Sequence, residues 1–264
     1  MFVKNEDGGL YLQKAGWDDA PHFTPENIAD MLSKIPKYQH AMRRNGEPQL
    51  GSGLIYDMNP EEYTITPIEI PDHWPRVACI DIGIDHPTAV SWAAYDLSTD
   101  TIYLYDEYRE SGNIPSVHAT AVNARGSWIP VILPHDAVNT EKGSGKSVLN
   151  YYQEAGVNCL PETFYNPLTA DGKKNNFVET GLMEVYQRLR TGRLKIFSTC
   201  VKLLAEMQQY HRKEGKIVSK DNDLCDAARY AVMSVTHRGL SANEAQRGNM
   251  AAYDDNWSNW NSNY

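Results

Sequence analysis

Three aspartates of this chain fall where a strand or a helix would deliver a carboxylate to its end. Asp81 interrupts the apolar run "VACIDIG", Asp136 closes the run "WIPVILPHDA", and Asp226 lies near the start of "DLCDAARYAVMSVTH". A carboxylate between Ile80 and Ile82 is costly to bury unless it is paired or metal-bound. Acids distant in sequence that converge where strand ends meet a helix N-terminus repel one another, and a divalent cation relieves that repulsion. Hard oxygen ligands suit Mg2+ or Mn2+. Two such ions, roughly 4 Å apart, would activate a water and stabilise a leaving oxygen, which is what hydrolysis of a phosphodiester needs. That chemistry calls for no His or Cys nucleophile.

Each acid also has a plainer reading. Asp223 and Asp226, three apart, suit an N-cap and a reach-back carboxylate at the positive end of a helix dipole. Asp136 suits a turn after a strand. Asp85 reads as a loop acid beside Pro87, and His86 and His135 as packing or hydrogen-bonding residues. Asp81 has no comparably simple structural explanation, so it carries most of the inference.

A second motif offers different chemistry. "GSGKS" at residues 143–147 is the tail of a phosphate-binding loop, G-x-x-x-x-G-K-[ST], in which glycines let backbone N–H groups face the phosphates. The first glycine should stand at position 140, and Thr140 is there instead. The stretch therefore reads as a Gly/Ser loop carrying Lys146 ahead of a helix.

Composition narrows the classes. With 264 residues and 41% hydrophobic content the chain can bury a sizeable core. A formal charge of -9 argues against coating nucleic acid by bulk electrostatics and confines any such contact to local basic patches. Cys79, Cys159, Cys200 and Cys225 are scattered and suggest neither a zinc site nor a disulfide framework, which fits a reducing cytoplasm. No signal-like or membrane-length apolar run occurs, so no membrane partner is expected.

The elements that must position the acids follow an α/β pattern from Val77 onward. Strands at "VACIDIG", "TAVSWAAY" and "TIYLYDEY" are joined by short turns into a meander. A helix near residues 115–125, the strand ending at Asp136 and a helix over 147–155 follow. "NNFVETGLMEVYQRLRTGRL" spaces Val178, Leu182, Val185 and Leu189 as one helical face closing at Gly192. Next come a helix at "VKLLAEMQQY", a charged hairpin at "HRKEGKIVSKDND" and the final helix. Before Val77 the chain looks irregular, with one helix near 25–34 started by Thr24 and Pro25. The Asn-, Ser- and Ala-rich segment from Gly239 is expected to be a disordered tail.

The ordered set "GWDDAPHFTPE", "RNGEPQLGSGLIYDMNPEEY", "CIDIGIDHPTAVSW", "ILPHDAVNTEKGSGKS" and "DNDLCDAARYA" resembles the large terminase subunit of tailed double-stranded DNA bacteriophages, over roughly residues 15–238. The resemblance is to its C-terminal nuclease domain. It implies an RNase H-like α/β fold, a mixed sheet flanked by helices, with Asp81, Asp136 and Asp226 as a catalytic, metal-binding triad and Asp223 as an auxiliary ligand. It further implies an endonuclease cutting concatemeric DNA in the host cell cytoplasm, with phage DNA, the portal or procapsid and the small terminase subunit as partners. On this reading residues 1–75 are the end of a packaging ATPase domain and a linker, 76–238 the nuclease domain, and 239–264 the tail. The family's Walker motifs are missing, so the chain is expected to be a fragment without ATPase activity of its own. Another RNase H-like nuclease, such as a junction resolvase or transposase, and a non-catalytic docking module of the packaging motor are the alternatives. Lys142, Lys146, Arg188, Arg190, Arg193, Arg212, Lys213 and Lys216 are the candidate DNA contacts, since runs of cations position a duplex by its phosphates, although such runs are also common on solvated faces.

Overall fold

In the computed structural model the described residues are 2–4, 10–12, 17, 20–33, 44, 53–83, 86–140, 145–164, 177–213 and 216–247. Near the start, β1 (Phe2–Lys4) pairs antiparallel with β2 (Leu10–Leu12), and α1 (Pro25–Ser33) follows. Thr24 Oγ1 accepts the Asn27 N–H at 3.3 Å, the start signal legible in the sequence.

The rest is built on a mixed sheet. Its strands are β3 (Thr64–Ile65), β4 (Arg76–Asp81), β5 (Thr88–Asp96), β6 (Thr101–Glu110), β7 (Val131–Ile132) and β8 (Leu194–Phe197), in the order β3-β8-β6-β5-β4-β7. β4, β5 and β6 form the antiparallel meander, while β7, β8 and β3 join by parallel pairing. Thus the sheet has the mixed, helix-flanked architecture of RNase H-like proteins.

Strand alternation sorts side chains into two cores. Val77 and Cys79 of β4 pack with α4 (Val178–Arg190), α5 (Val201–Gln209) and α6 (Asp223–Arg238) on one face. Ala78 and Ile80 pack with α2 (Pro115–Asn123) and α3 (Val148–Glu154) on the other. Asp81 continues the first series and so points toward α6. Facing it across the sheet surface is Ala89, whose small side chain leaves room for the α6 backbone to come close.

β6 changes face partway along. The register jumps between Trp92 and Ala93 of β5, which oppose Asp106 and Leu104, so Tyr105 is the extra residue of a bulge. Before it, Ile102 and Leu104 face the α6 side. Beyond it the parity is reversed: Asp106 and Tyr108 meet Arg125 and His118 on the α2 side. Glu107 and Arg109 therefore turn toward α5 and α6.

Two segments differ from the sequence reading. Residues 53–75 belong to this body rather than to a linker: Tyr56 and Tyr63 are buried in the α6-side core, and β3 extends the sheet beside β8. β3 and β8 escape notice in sequence because they are two and four residues long and adjoin turn residues. Downstream, Leu240 bridges to Arg76, and Ser241 and Glu244 cap each other reciprocally, so 239–247 is ordered by contacts that composition does not reveal. Residues 248–264 lie outside the described residues.

Tyr63→Ala should lower the unfolding free energy by about 3 kcal/mol through loss of a fully buried aromatic. Urea denaturation with an unchanged slope checks it; a change under about 1 kcal/mol would show that 53–75 is peripheral.

Candidate active site

The four aspartates meet at one edge of the sheet. Asp81 ends β4, Asp136 sits in a single 3-10 turn (His135–Val138) just past β7, and Asp223 and Asp226 occupy the first turn of α6. The chain leaves β4 through Gly83, where a Cβ would stand 2.1 Å from the His86 carbonyl oxygen and 2.4 Å from that of Pro87. Only glycine fits so close a backbone approach. His86 and His135 are exposed beside the site.

Electrostatics set Asp81 apart. Burial, then the charges of Asp226 and Asp223, push its pKa up to about 8, with a smaller contribution from Asp136, while Arg229 pulls the other way. The first turn of α6 holds its charge in a different way. Arg229, itself buried, donates to Asp226 Oδ1 from Nη2 at 2.9 Å, and Asn222 Nδ2 donates to Asp226 Oδ2 at 2.7 Å. Arg109 donates to Asp223 Oδ2 from Nε at 3.1 Å and Nη2 at 2.8 Å.

Glu206 of α5 completes the arrangement. Its Oε2 accepts the N–H groups of Leu224 at 2.8 Å and Cys225 at 3.2 Å, supplying from another helix the cap that Asn222 does not provide. Burial raises its pKa to about 7 against the lowering effect of those bonds and of Arg109. Close packing secures the other arginine: a Cβ on Gly181 of α4 would stand 2.7 Å from Arg229 Cδ, so the glycine makes room for its stem.

The residues present fit a hard divalent cation by donor chemistry. Asp81 and Asp136 have no side-chain hydrogen bond or ion pair among the described residues, and the half-buried Asp81 carboxylate lies among like charges. Among the described residues, however, no three of these groups stand close enough to enclose an ion in the present arrangement.

The candidate DNA contacts divide. Because β6 runs away from the β5–β6 turn toward the site, Asp100 lies at the opposite end of the sheet, roughly 30 Å along the strand. Arg188 and Arg193 both bond that Asp100, and Arg190 is at the same helix end over Tyr186. These three candidate DNA contacts are thus remote from the acids, and two of them are in structural ion pairs. Lys146 pairs with Glu154, and Lys142 lies outside the described residues. Arg212, Lys213 and Lys216 belong to β9 (Arg212–Lys213) and β10 (Lys216–Ile217), a hairpin leading into α6. Arg212 pairs with Glu179, whereas Lys213 and Lys216 are exposed.

Arg109, Arg229, Glu206 and Asn222 were not singled out from sequence. The i,i+4 and i,i+3 spacings of Asn222 and Arg229 from Asp226 carried a local signal, whereas Arg109 and Glu206 reach α6 through tertiary contacts alone.

The terminase RNaseH-like domain family matches residues 78–235, a span that contains all four aspartates and the sheet edge on which they meet. The chain belongs to that family. Large terminase subunits of Enterobacteria phage LP7 and Salmonella phage P22 are each 34% identical over 233 residues, 88% of this chain but 48% and 46% of theirs. This terminase chain therefore spans about half the length of the curated relatives it matches. The solved nuclease domain of the P22 large terminase superposes with a TM-score of 0.66 at 34% identity, covering 74% of this chain and 98% of that one. A large terminase from the thermophilic bacteriophage D6E, solved with ADP, shares the fold at TM-score 0.55 and 17% identity, over 83% of this chain and 54% of its own. Among the described residues of the terminase chain no helix is long and apolar enough to cross a membrane.

The raised pKa of Asp81 has a stability consequence. Below its ordinary value of 3.8 the residue costs the fold nothing; the cost grows as pH rises toward 8 and is constant above that. Asp81→Asn should therefore raise the metal-free melting temperature at pH 7.5 by roughly 3 °C or more. The gain should vanish near pH 4, and Mn2+ should stabilise the wild type more than the variant. Calorimetric melting at the two pH values decides it.

Proposed function

We propose that this terminase chain is a metal-dependent endodeoxyribonuclease that cuts concatemeric double-stranded phage DNA in the host cytoplasm, with the portal and the small terminase subunit as partners of the whole protein. The observation that carries the reading is the Asp81 carboxylate, half-buried without an ion-pair partner among the described residues and close to three other aspartates at the edge of a terminase RNase H-like sheet. Asp81, Asp136 and Asp226 would hold Mg2+ or Mn2+, as a pair of ions. When bound, these supply an activated water and neutralise charge developing on the phosphodiester.

The chain's own residues do the remaining work. Arg229 and Asn222 hold both oxygens of Asp226 and so fix the orientation in which it would serve as a ligand. Gly83 turns the chain sharply so that Asp81 ends its strand beside α6. Lys213 and Lys216, on the hairpin before α6, present charge to the duplex backbone, which positions DNA without reading its sequence.

Purified chain should nick and linearise supercoiled plasmid in Mn2+, and Asp81→Ala should abolish the cutting. Equal cutting by the variant, or an inactive wild type across Mg2+ and Mn2+, would overturn the proposal; a strong preference for branched DNA would favour a resolvase instead. The Lys213→Ala/Lys216→Ala double variant should reduce the slope of log affinity against log salt by roughly two, whereas Arg188→Ala should leave it unchanged.

A further inference from the structure

We propose that Asp223 serves as the anchor of a clamp formed by Arg109, not as an ion ligand, and that Arg109 is a positioning residue for the nuclease reaction. The inference rests on the nuclease reading above and concerns how its site is held in register.

Four observations converge on it. First, Asp223 Oδ2 receives two guanidinium bonds, from Arg109 Nε and Nη2, in a geometry that spends the fork on a single carboxylate oxygen. Second, the same guanidinium stands 3.1 Å from Glu206 Oε1 and 3.5 Å from Asp221 Oδ1. Oε1 has no hydrogen-bond partner among the described residues, so its hold on Arg109 is Coulombic, while Oε2 caps α6. Arg109 thus joins the end of β6, the second turn of α5 and the first turn of α6. Third, Arg109 opposes Ala89, and Ala89 opposes Asp81, so the arginine lies in the same cross-strand row as Asp81, two strands away. That row spans roughly 10 Å, and α6 enters over its small middle residue. Fourth, the bulge at Tyr105 is what turns Arg109 to this face; in an unbroken strand its side chain would face α2.

The side chain of Asp223 is mostly buried, 12% exposed, against 67% for Asp221. An aspartate so placed and so paired has its charge already compensated. Asp226, by contrast, is held by residues of its own helix region, Asn222 and Arg229, and keeps its oxygens near Asp81 without Arg109. Loss of the clamp should therefore leave the ion ligands in place yet let the first turn of α6 shift, and a small misplacement near the reacting atoms costs rate more than binding.

The test is plasmid cutting by the purified chain across a Mn2+ titration, with Mn2+ binding measured separately by calorimetry. Arg109→Ala and Asp223→Ala should each slow cutting at saturating Mn2+ by roughly tenfold or more. Their combination should be no slower than the worse single variant. Asp223→Asn keeps an oxygen to accept from Arg109 and should stay within about threefold of the wild-type rate. Calorimetric Mn2+ affinity should be the same, within about threefold, for all of them. A roughly tenfold loss of Mn2+ affinity in Asp223→Asn but not in Arg109→Ala would make Asp223 a ligand and overturn the clamp. Independent, multiplicative effects of the two alanine substitutions would overturn it as well. Should the wild type bind Mn2+ without cutting, the nuclease reading fails, and the calorimetric comparison of Asp223→Asn with Arg109→Ala still decides whether Asp223 is a ligand.

Discussion

Repulsion among the carboxylates of Asp81, Asp223 and Asp226 at the α6 end of β4 is the interaction to which the surrounding structure answers. Two guanidinium groups oppose it from different directions. Arg109 comes across the sheet from β6, and Arg229 comes from the next turn of α6 itself. Glu206 adds a further negative charge but spends one oxygen on two backbone N–H groups, so it strengthens the seat of the helix while adding to the charge that Arg109 must offset. Asp81 has no ion-pair partner among the described residues, and burial, then the charges of Asp226 and Asp223, raise its pKa to about 8 against the opposing pull of Arg229.

Small residues and one irregular strand make this charge arrangement sterically feasible. Ala89 and Ala93 on β5, with Ala227, Ala228 and Ala231 on α6, allow the helix to lie close to the sheet, since no long side chain intervenes. Gly181 does the same for the Arg229 stem under α4. Close approach brings the α6 terminus into reach of β6, and the Tyr105 bulge then decides which β6 side chains meet it. The same bulge sends Asp106 the other way, to pair with Arg125 stacked over Trp92 at 4.6 Å. One inserted residue thereby supplies contacts to both helical layers.

Much of this was legible in sequence and some was not, for identifiable reasons. The meander, α2, α4, α5 and α6 follow from periodicity and turn residues, because each is long enough to show its own pattern. Asp81, Asp136 and Asp226 stood out in the sequence because the first interrupts an apolar strand run, the second ends one and the third lies in the first turn of a helix. β3 and β8 are too short to show a period, and their pairing is with each other and with β6, distant in the chain. Arg109 was illegible because it lies 114 residues from Asp223, and nothing in "DEYRE" tells which face of the strand its arginine takes after a bulge. Clustering of Arg188, Arg190 and Arg193 in sequence suggested a DNA surface, whereas two of them neutralise Asp100 at the far turn.

That far-end pairing bears on how an acidic domain can meet a polyanion. Two of the arginines that sequence grouped together, Arg188 and Arg193, tie down the β5–β6 turn through Asp100, which offsets part of their charge at short range. Lys213 and Lys216 lie instead on the short hairpin that runs directly into Asn222 and the first turn of α6. A duplex attracted to that hairpin would be brought toward the carboxylates that repel it, and only bound cations at those carboxylates would reverse the sign of the local field. On the proposed function, metal occupancy and DNA approach would be coupled through one electrostatic surface: without the ions the acids would oppose the hairpin lysines, and with them the two would act together. The net charge of -9 sharpens this coupling, because no bulk positive surface would hold the duplex in place while the site is empty of cations.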